Sequence, residues 1–322
     1  MKLTSEQFRN LLSDLGLDRP FVKGQSVKIK NCWHFTTDGH DVDTMFYDEQ
    51  DFCAGMNRIF VVIQAYNVII LAFSIMDTHV HFILYGAFDD CNRFMHEYLR
   101  RTGQYIAQYH GEEHKLDGVH IRHQLIDTDL YLKTAICYTL KNPPVGGLHY
   151  LAQDYPWSSG PLYFRRHGSW AAPMWDRLLE SAPRLSGMSV RKKRALLHTR
   201  TDIGADASIV DGIVFPGEYV AWEIVEKLFR SYKAFHFFMC SSKESDVESR
   251  GGAISYLTIP MQEMRQHKKE LCRELFGTLT VKKLNTVQRI RLAKALKFRY
   301  NSSSKQIARL CGLVYEEVRH ML

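Results

Sequence analysis

An α+β domain, an antiparallel sheet with helices packed on one face, is the fold the sequence predicts for residues 26–168. Two observations predict it. Strand-like and helix-like stretches follow one another in the order strand, helix, strand, strand, helix, strand, helix. The helix-like stretches carry their apolar residues on one side, while the strand-like ones are short, apolar and bounded by turn residues.

Each element has its own justification. Before the domain, Thr4 to Leu15 forms a short helix, with Thr4 as cap and Gln7 three positions on in the capping-box arrangement. Asp18-Arg19-Pro20 and Lys23-Gly24-Gln25 break that pattern, so residues 1–25 are a helical extension. Cys32 to Thr37 is the first strand and Asp38-Gly39 its turn. Asp48 to Tyr66 places Phe52, Met56, Ile59, Phe60 and Ile63 on one side of a helix. Val68 to Ile75 is a β-branched, buried strand, and after the break at Asp77-Thr78 comes the strand His79 to Tyr85. Asp89 to Tyr109 is amphipathic, with Phe94, Tyr98 and Leu99 inward. His120 to Ile126 is the last strand, and Asp129 to Lys141 a helix stopped by Pro143-Pro144.

Gly, Pro and Ser cluster between Gly168 and Pro183, which marks a boundary. Residues 169–260 form a middle region without an assigned role, and residues 261–322 a basic helical module. A composition of 45% hydrophobic and 24% charged residues is that of a soluble globular chain. Ile59 to Met76 is interrupted by Gln64, Asn67 and Ser74, against a membrane span. The first residues lack the apolar core of a signal peptide. Seven cysteines without a close pair argue against a disulfide framework or a zinc ribbon. The expected setting is a reducing cytoplasm. The net charge of +7 is concentrated in residues 261–322, where 14 Lys and Arg face 5 Asp and Glu. Such a bias suits a polyanion as well as a solvated helical surface.

Two clusters can carry chemistry. In His79-Val80-His81, alternate positions of a strand share a face, so both imidazoles point one way and could hold a divalent metal. Tyr138 and Asn142, four residues apart, stack a phenol and a carboxamide on one helical face. The phenol is a nucleophile by type and the amide oxygen a hard ligand. In isolation each pair also reads as ordinary structure: polar strand residues, a packed tyrosine, a helix-capping asparagine. No Walker loop, dinucleotide glycine pattern or His-Glu-x-x-His motif occurs, which argues against nucleotide-driven motors and zinc peptidases.

Taken together, these pieces resemble the single-tyrosine HUH transposases, especially the REP-associated tyrosine transposase branch. The matching stretches are Trp33-His34-Phe35-Thr36-Thr37-Asp38-Gly39, Met76 through Leu84 with its His-hydrophobic-His core, Tyr138-Thr139-Leu140-Lys141-Asn142-Pro143, and Asp154-Tyr155-Pro156-Trp157-Ser158-Ser159. They span roughly residues 27–163 in the family's order. The chain departs from it at Asp77-Thr78, where the family often has Pro-Asn, and after Pro143, where it lacks the family's arginine.

The resemblance implies a ferredoxin- or RRM-like HUH domain that cleaves single-stranded, hairpin-flanked DNA by transesterification. It implies that His79, His81 and Asn142 bind Mg2+ or Mn2+, and that Tyr138 attacks the phosphate and keeps the 5′ phosphate. Reversal by a second 3′ hydroxyl would then join strands. The alternatives are an HUH replication initiator and a DNA-binding protein whose HUH domain is inactive or domesticated. Arg100, Arg101 and Arg122 are candidate phosphate contacts, with solvated surface as the other reading. Near the C-terminus, Lys305 to Leu313 and Val314 to Leu322 read as helix, turn at Gly312, helix, with Ile307, Ala308, Leu313 and Val318 as core. This resembles the helix-turn-helix modules of bacterial regulators and makes Lys305, Arg309 and Arg319 candidate contacts to duplex DNA; a small packing module is the alternative. No membrane partner is expected, and a homodimer is one open option.

Overall fold

The computed structural model describes residues 4–19, 26–39, 41–42, 44–111, 116, 118–145, 150–165, 179–241, 261–300, 304–318 and 321. The chain divides into two compact units, residues 1–142 with 150–247, and residues 143–149 with 248–322.

The first unit opens on α1 (Ser5–Asp14), closed by the expected box: Gln7 N–H donates to the Thr4 hydroxyl and Thr4 N–H to the Gln7 side chain. A sheet of four strands follows: β1 (Lys28–Thr37), β2 (Ile69–Ile75), β3 (Val80–Tyr85) and β4 (Ile121–Thr128), in the order β2-β3-β1-β4 with every neighbour antiparallel. α2 (Glu49–Ile63) joins β1 to β2, α3 (Phe88–His110) joins β3 to β4, and α4 (Asp129–Val145) follows β4. The order of elements is the one the sequence predicts.

The helices, however, are not confined to one face. Phe35, Phe73, Val80, Phe82 and Leu84 pack with α2 and α3, whereas Cys32, Leu71, Ala72, Ile83 and Ile126 pack with α4. The reason is local. β2 is buried at all seven positions and β3 at five of six, so the strand residues of both parities are apolar and need cover on both sides. α4 supplies the second cover through Leu132, Ala135, Ile136 and Leu140.

α4 also runs through Pro143 and Pro144 to Val145, beyond the expected stop. Proline's fixed φ is helical, so the last turn can continue through it at the cost of the missing N–H and of the ring's crowding against the preceding turn.

β2 is an edge strand, and the Tyr155–Ser159 stretch covers it. Ile75 N–H donates to the Trp157 carbonyl (2.9 Å), Ser159 N–H to the Phe73 carbonyl (3.0 Å), and the Tyr155 hydroxyl to the Ile75 carbonyl (2.8 Å). Capping the exposed ladder in this way removes a template for strand addition.

Part of the region with no assigned role belongs to this unit. α5 (Val190–Leu197), the hairpin β5 (Ile209–Val210) and β6 (Ile213–Val214), α6 (Trp222–Phe229) and α7 (Tyr232–Ser241) have their apolar residues in the two cores flanking the sheet. Asn57 of α2 ties them down: its amide donates to the Leu196 and Gly212 carbonyls and its oxygen accepts from Val214 N–H (2.7 Å).

The second unit contains α8 (Met261–Phe276), α9 (Thr286–Tyr300), α10 (Ser304–Cys311) and α11 (Tyr315–Val318). Its core is Leu271, Cys272, Leu284, Leu292, Ala293, Leu296, Ile307, Leu310 and Cys311. Gly312 turns the chain between α10 and α11 at φ +64°, a left-handed conformation that favours glycine. Val287 of α9 is 75% exposed, away from that core. All seven cysteines are free thiols, and no described helix is long and apolar enough to cross a membrane.

Candidate active site

The strand period and the helix period bring the predicted residues together on the α4 side of the sheet. Val80 and Phe82 point into the α2–α3 core, so His81 faces the other way, and His79 at the entry to β3 joins it. The two imidazole centroids are 5.0 Å apart. From α4, Tyr138 lays its ring 5.6 Å from that of His81, edge to face. One turn later, the Asn142 Oδ1 lies 3.1 Å from His79 Nε2. His79 Nδ1 is held by the Thr78 hydroxyl at 2.9 Å. The turn after β1 passes close by: a Cβ on Gly39 would come within 3.0 Å of His79 Nδ1, so glycine leaves that ring its place.

One member of the cluster was not singled out in the sequence. His34 of β1 is 5% exposed, and its Nε2 lies 3.0 Å from His81 Nδ1, with the rings stacked at 5.3 Å. Its ring is also 5.9 Å from Tyr138. With the shared proton on His81 Nδ1, His34 accepts and His81 Nε2 keeps its lone pair for a ligand. The one available signal was the period of β1, which puts His34 on the face opposite Phe35.

Burial sets the charge state of this pair. Desolvation holds His34 down at about 4, and desolvation, then His79 and His34, hold His81 well below the ordinary imidazole value. Both are neutral at pH 7, the state in which imidazole binds metals. The linkage has a definite sign. In the unfolded chain His34 protonates near pH 6.5, but in the folded chain only near pH 4, so acid favours unfolding across that window. His34 alone is expected to remove about 3 kcal/mol of stability by pH 4, and His81 acts in the same direction. Urea unfolding at pH 7 and pH 4.5 checks this. A wild-type stability that does not fall, or falls no more than in His34→Phe, would contradict it.

The arginine candidates fare differently. The row Arg122, Thr36, His81 runs straight across β4, β1 and β3, so Arg122 starts from the same sheet face as the histidines. Its guanidinium pairs with Asp38. Arg100 and Arg101 lie on α3, beyond the other face, and both bind Glu97, at 2.7 and 2.6 Å. They are not part of the cluster. In the second unit Arg309 is exposed, while the Lys305 side chain and Arg319 lie outside the described residues.

Another metal-capable group, Asp48, Asp51 and His110, sits at the start of α2. Its carboxylates already have local work. Asp48 caps Asp51 N–H at 2.9 Å, and Asp51 takes the Tyr47 N–H at 2.8 Å and His110 Nε2 at 2.9 Å. None of the predicted ligands belongs to it.

Among proteins of known structure, the chain is similar to a REP-associated tyrosine transposase solved bound to a REP hairpin. The likeness covers 60% of this chain and all of that one, at 15% identity and a TM-score of 0.32. No family model and no curated protein matches it.

Proposed function

We propose that this chain is a metal-dependent single-stranded DNA endonuclease and strand transferase, a transposase of the single-tyrosine HUH kind. The observation that carries the reading is the convergence of one phenol, three imidazoles and one carboxamide from β1, β3 and α4 onto one sheet face.

The types of donor in the cluster support a small divalent cation. Two imidazoles and an amide oxygen are donor types such an ion accepts, and His79 Nε2 and Asn142 Oδ1 already lie 3.1 Å apart. His79, His81 and Asn142 would hold Mg2+ or Mn2+. When bound, the ion supplies Lewis-acid stabilisation of charge on the scissile phosphate. The protein's own residues do the rest. His34 orients His81, Thr78 orients His79, and α4 fixes the nucleophile one turn from the third ligand. The Tyr138 oxygen forms a bond to phosphorus, the 3′ oxygen leaves as a hydroxyl, and the 5′ phosphate stays on tyrosine. Attack by a 3′ hydroxyl from another strand reverses the step and joins DNA without a nucleotide cofactor. Arg122 stands at the sheet edge beside the cluster, where exchange of Asp38 for a phosphate would bring DNA to the histidine row. The setting we propose is the bacterial cytoplasm, on the nucleoid when DNA is bound.

The test is a denaturing gel with labelled single-stranded DNA carrying the element's own flanking hairpins, with Mg2+ or Mn2+ and with EDTA. A covalent band that needs metal is expected. Binding on a native gel without any such band would favour a regulatory, inactive domain.

The basic second unit is assigned to duplex DNA, with Lys305, Arg309 and Arg319 as contacts. Deleting Met261 to Leu322 is expected to weaken duplex binding at least tenfold at moderate salt and to flatten its salt dependence, since the slope falls by about 0.9 for each phosphate that the protein no longer neutralises. Unchanged affinity and slope would leave the unit as a packing module.

A further inference from the structure

On the face of the sheet opposite Tyr138, between Ser189 and Thr201, the chain carries five Lys and Arg and no acidic residue. Arg191, Lys192, Arg194 and Arg200 are exposed and Lys193 is partly so; among the described residues none of them makes an ion pair. The contrast with the expected DNA contacts is direct: Arg100, Arg101 and Arg122 are all matched to carboxylates. An exposed run of cations is often just solvated surface, so charge alone would decide nothing.

Aromatic side chains stand beside the run. α5 ends at His198, whose ring lies 4.9 Å from Tyr105 and 6.0 Å from Tyr109, both on α3. Tyr105 and Tyr109 are themselves 4.4 Å apart, and Tyr109 is 50% exposed. Arg101, one turn before Tyr105, reaches across to the Thr199 hydroxyl at 3.3 Å, which joins α3 to the basic run. Glu97, a carboxylate of α3, is taken up by two arginines; Asp48 and Asp51 at the start of α2 also approach Tyr105, and Asp51 is taken up by His110. Tyr109 therefore stands half out of the surface, braced from beneath by Tyr105 and from the side by His198, next to five unmatched cations.

We propose that this surface, α5 with Arg200 and the C-terminal end of α3, is a second nucleic-acid site that takes single-stranded DNA. The cations would track the phosphates, and Tyr109 would offer a ring for an unpaired base to stack on. The half-exposed ring selects a single strand over a duplex, because bases locked in a helix cannot reach it. The site goes beyond the Tyr138 chemistry and does not depend on it. A strand held there would be kept on the protein while its neighbouring segment is at the opposite face.

The test uses the full-length protein and a fluorescent oligo-dT of ~20 nucleotides, read by anisotropy across a salt series. Tyr138→Phe serves as background, so that no covalent product enters the signal. In the variant Arg191→Gln, Lys192→Gln, Arg194→Gln, the slope of log affinity against log salt is expected to fall by about 2, at about 0.7 for each single-strand phosphate no longer neutralised. Tyr109→Ala should weaken binding about fivefold or more and leave the slope alone, because stacking is not ionic. The substituted cations are exposed, so their folding is not at risk; melting curves verify it for both variants. An unchanged slope in the triple variant, an unchanged affinity in Tyr109→Ala, or losses seen only with duplex DNA would each overturn the proposal. Adduct formation at Tyr138 is scored separately, so its failure would not be confused with failure here.

Discussion

Replacing Tyr138 with phenylalanine is expected to abolish the covalent protein–DNA adduct and to lower strand cleavage at least about 10^3-fold, with DNA affinity within about threefold of wild type. The substitution removes one oxygen. The ring that packs edge-on against His34 and His81 remains, and so does the apolar contact with the α4 core. Folding is therefore spared, and a loss of adduct reports the missing nucleophile. The measurement is a denaturing gel paired with a native binding gel and a melting curve. A normal adduct from the variant would sink the assignment and move attention to another hydroxyl. Loss of both adduct and fold is not expected from a side chain that is only partly buried.

That prediction could be written from the sequence because its residues sit at the two periods a chain reveals directly. His79 and His81 are two apart on a strand, and Tyr138 and Asn142 four apart on a helix; each spacing fixes a face before any fold is known. What the spacing could not say was that the two faces meet. They meet because β2 and β3 are apolar on both sides, which forces a helix onto the histidine face. His34 was harder to find. It is 47 residues from His81, and only the antiparallel register of β1 with β3 brings the two imidazoles to 3.0 Å. The arginines show the opposite limit. Arg100, Arg101 and Arg122 looked available in sequence, yet each has a carboxylate partner, one of them 84 residues away. Glu97 lies one helical turn before Arg100 and Arg101, and that pairing was open to a reading of spacing, whereas the Arg122 pairing is set by tertiary register and leaves no local trace. The same holds for residues 179–241, whose short apolar stretches lack a clear period and take their places only against the sheet.

The second large effect is expected at His81. In His81→Ala, metal-dependent cleavage should fall at least about 10^2-fold and Mn2+ affinity about tenfold or more, with partial rescue by excess metal. Removing His79 should act alike, though with less cost to folding, because His79 lies at the strand entrance and is only partly buried. His81 is 4% exposed, and truncating it leaves the His34 Nε2 facing an apolar gap without its partner. An orphaned buried polar group costs about 1–3 kcal/mol, so a lower melting temperature accompanies the loss of activity and has to be separated from it. His34→Phe makes the separation. It fills the space and leaves His81 present but unheld, so Mn2+ affinity should fall less than in His81→Ala while the stability at acid pH improves. Calorimetric Mn2+ titration of the three proteins at pH 7, well below their melting temperatures, reads the ligand set without relying on cleavage. Equal Mn2+ affinity in wild type and His81→Ala would remove His81 from the metal site. The buried His34–His81 pair would then be a structural contact, and the Tyr138 result would have to be explained without it.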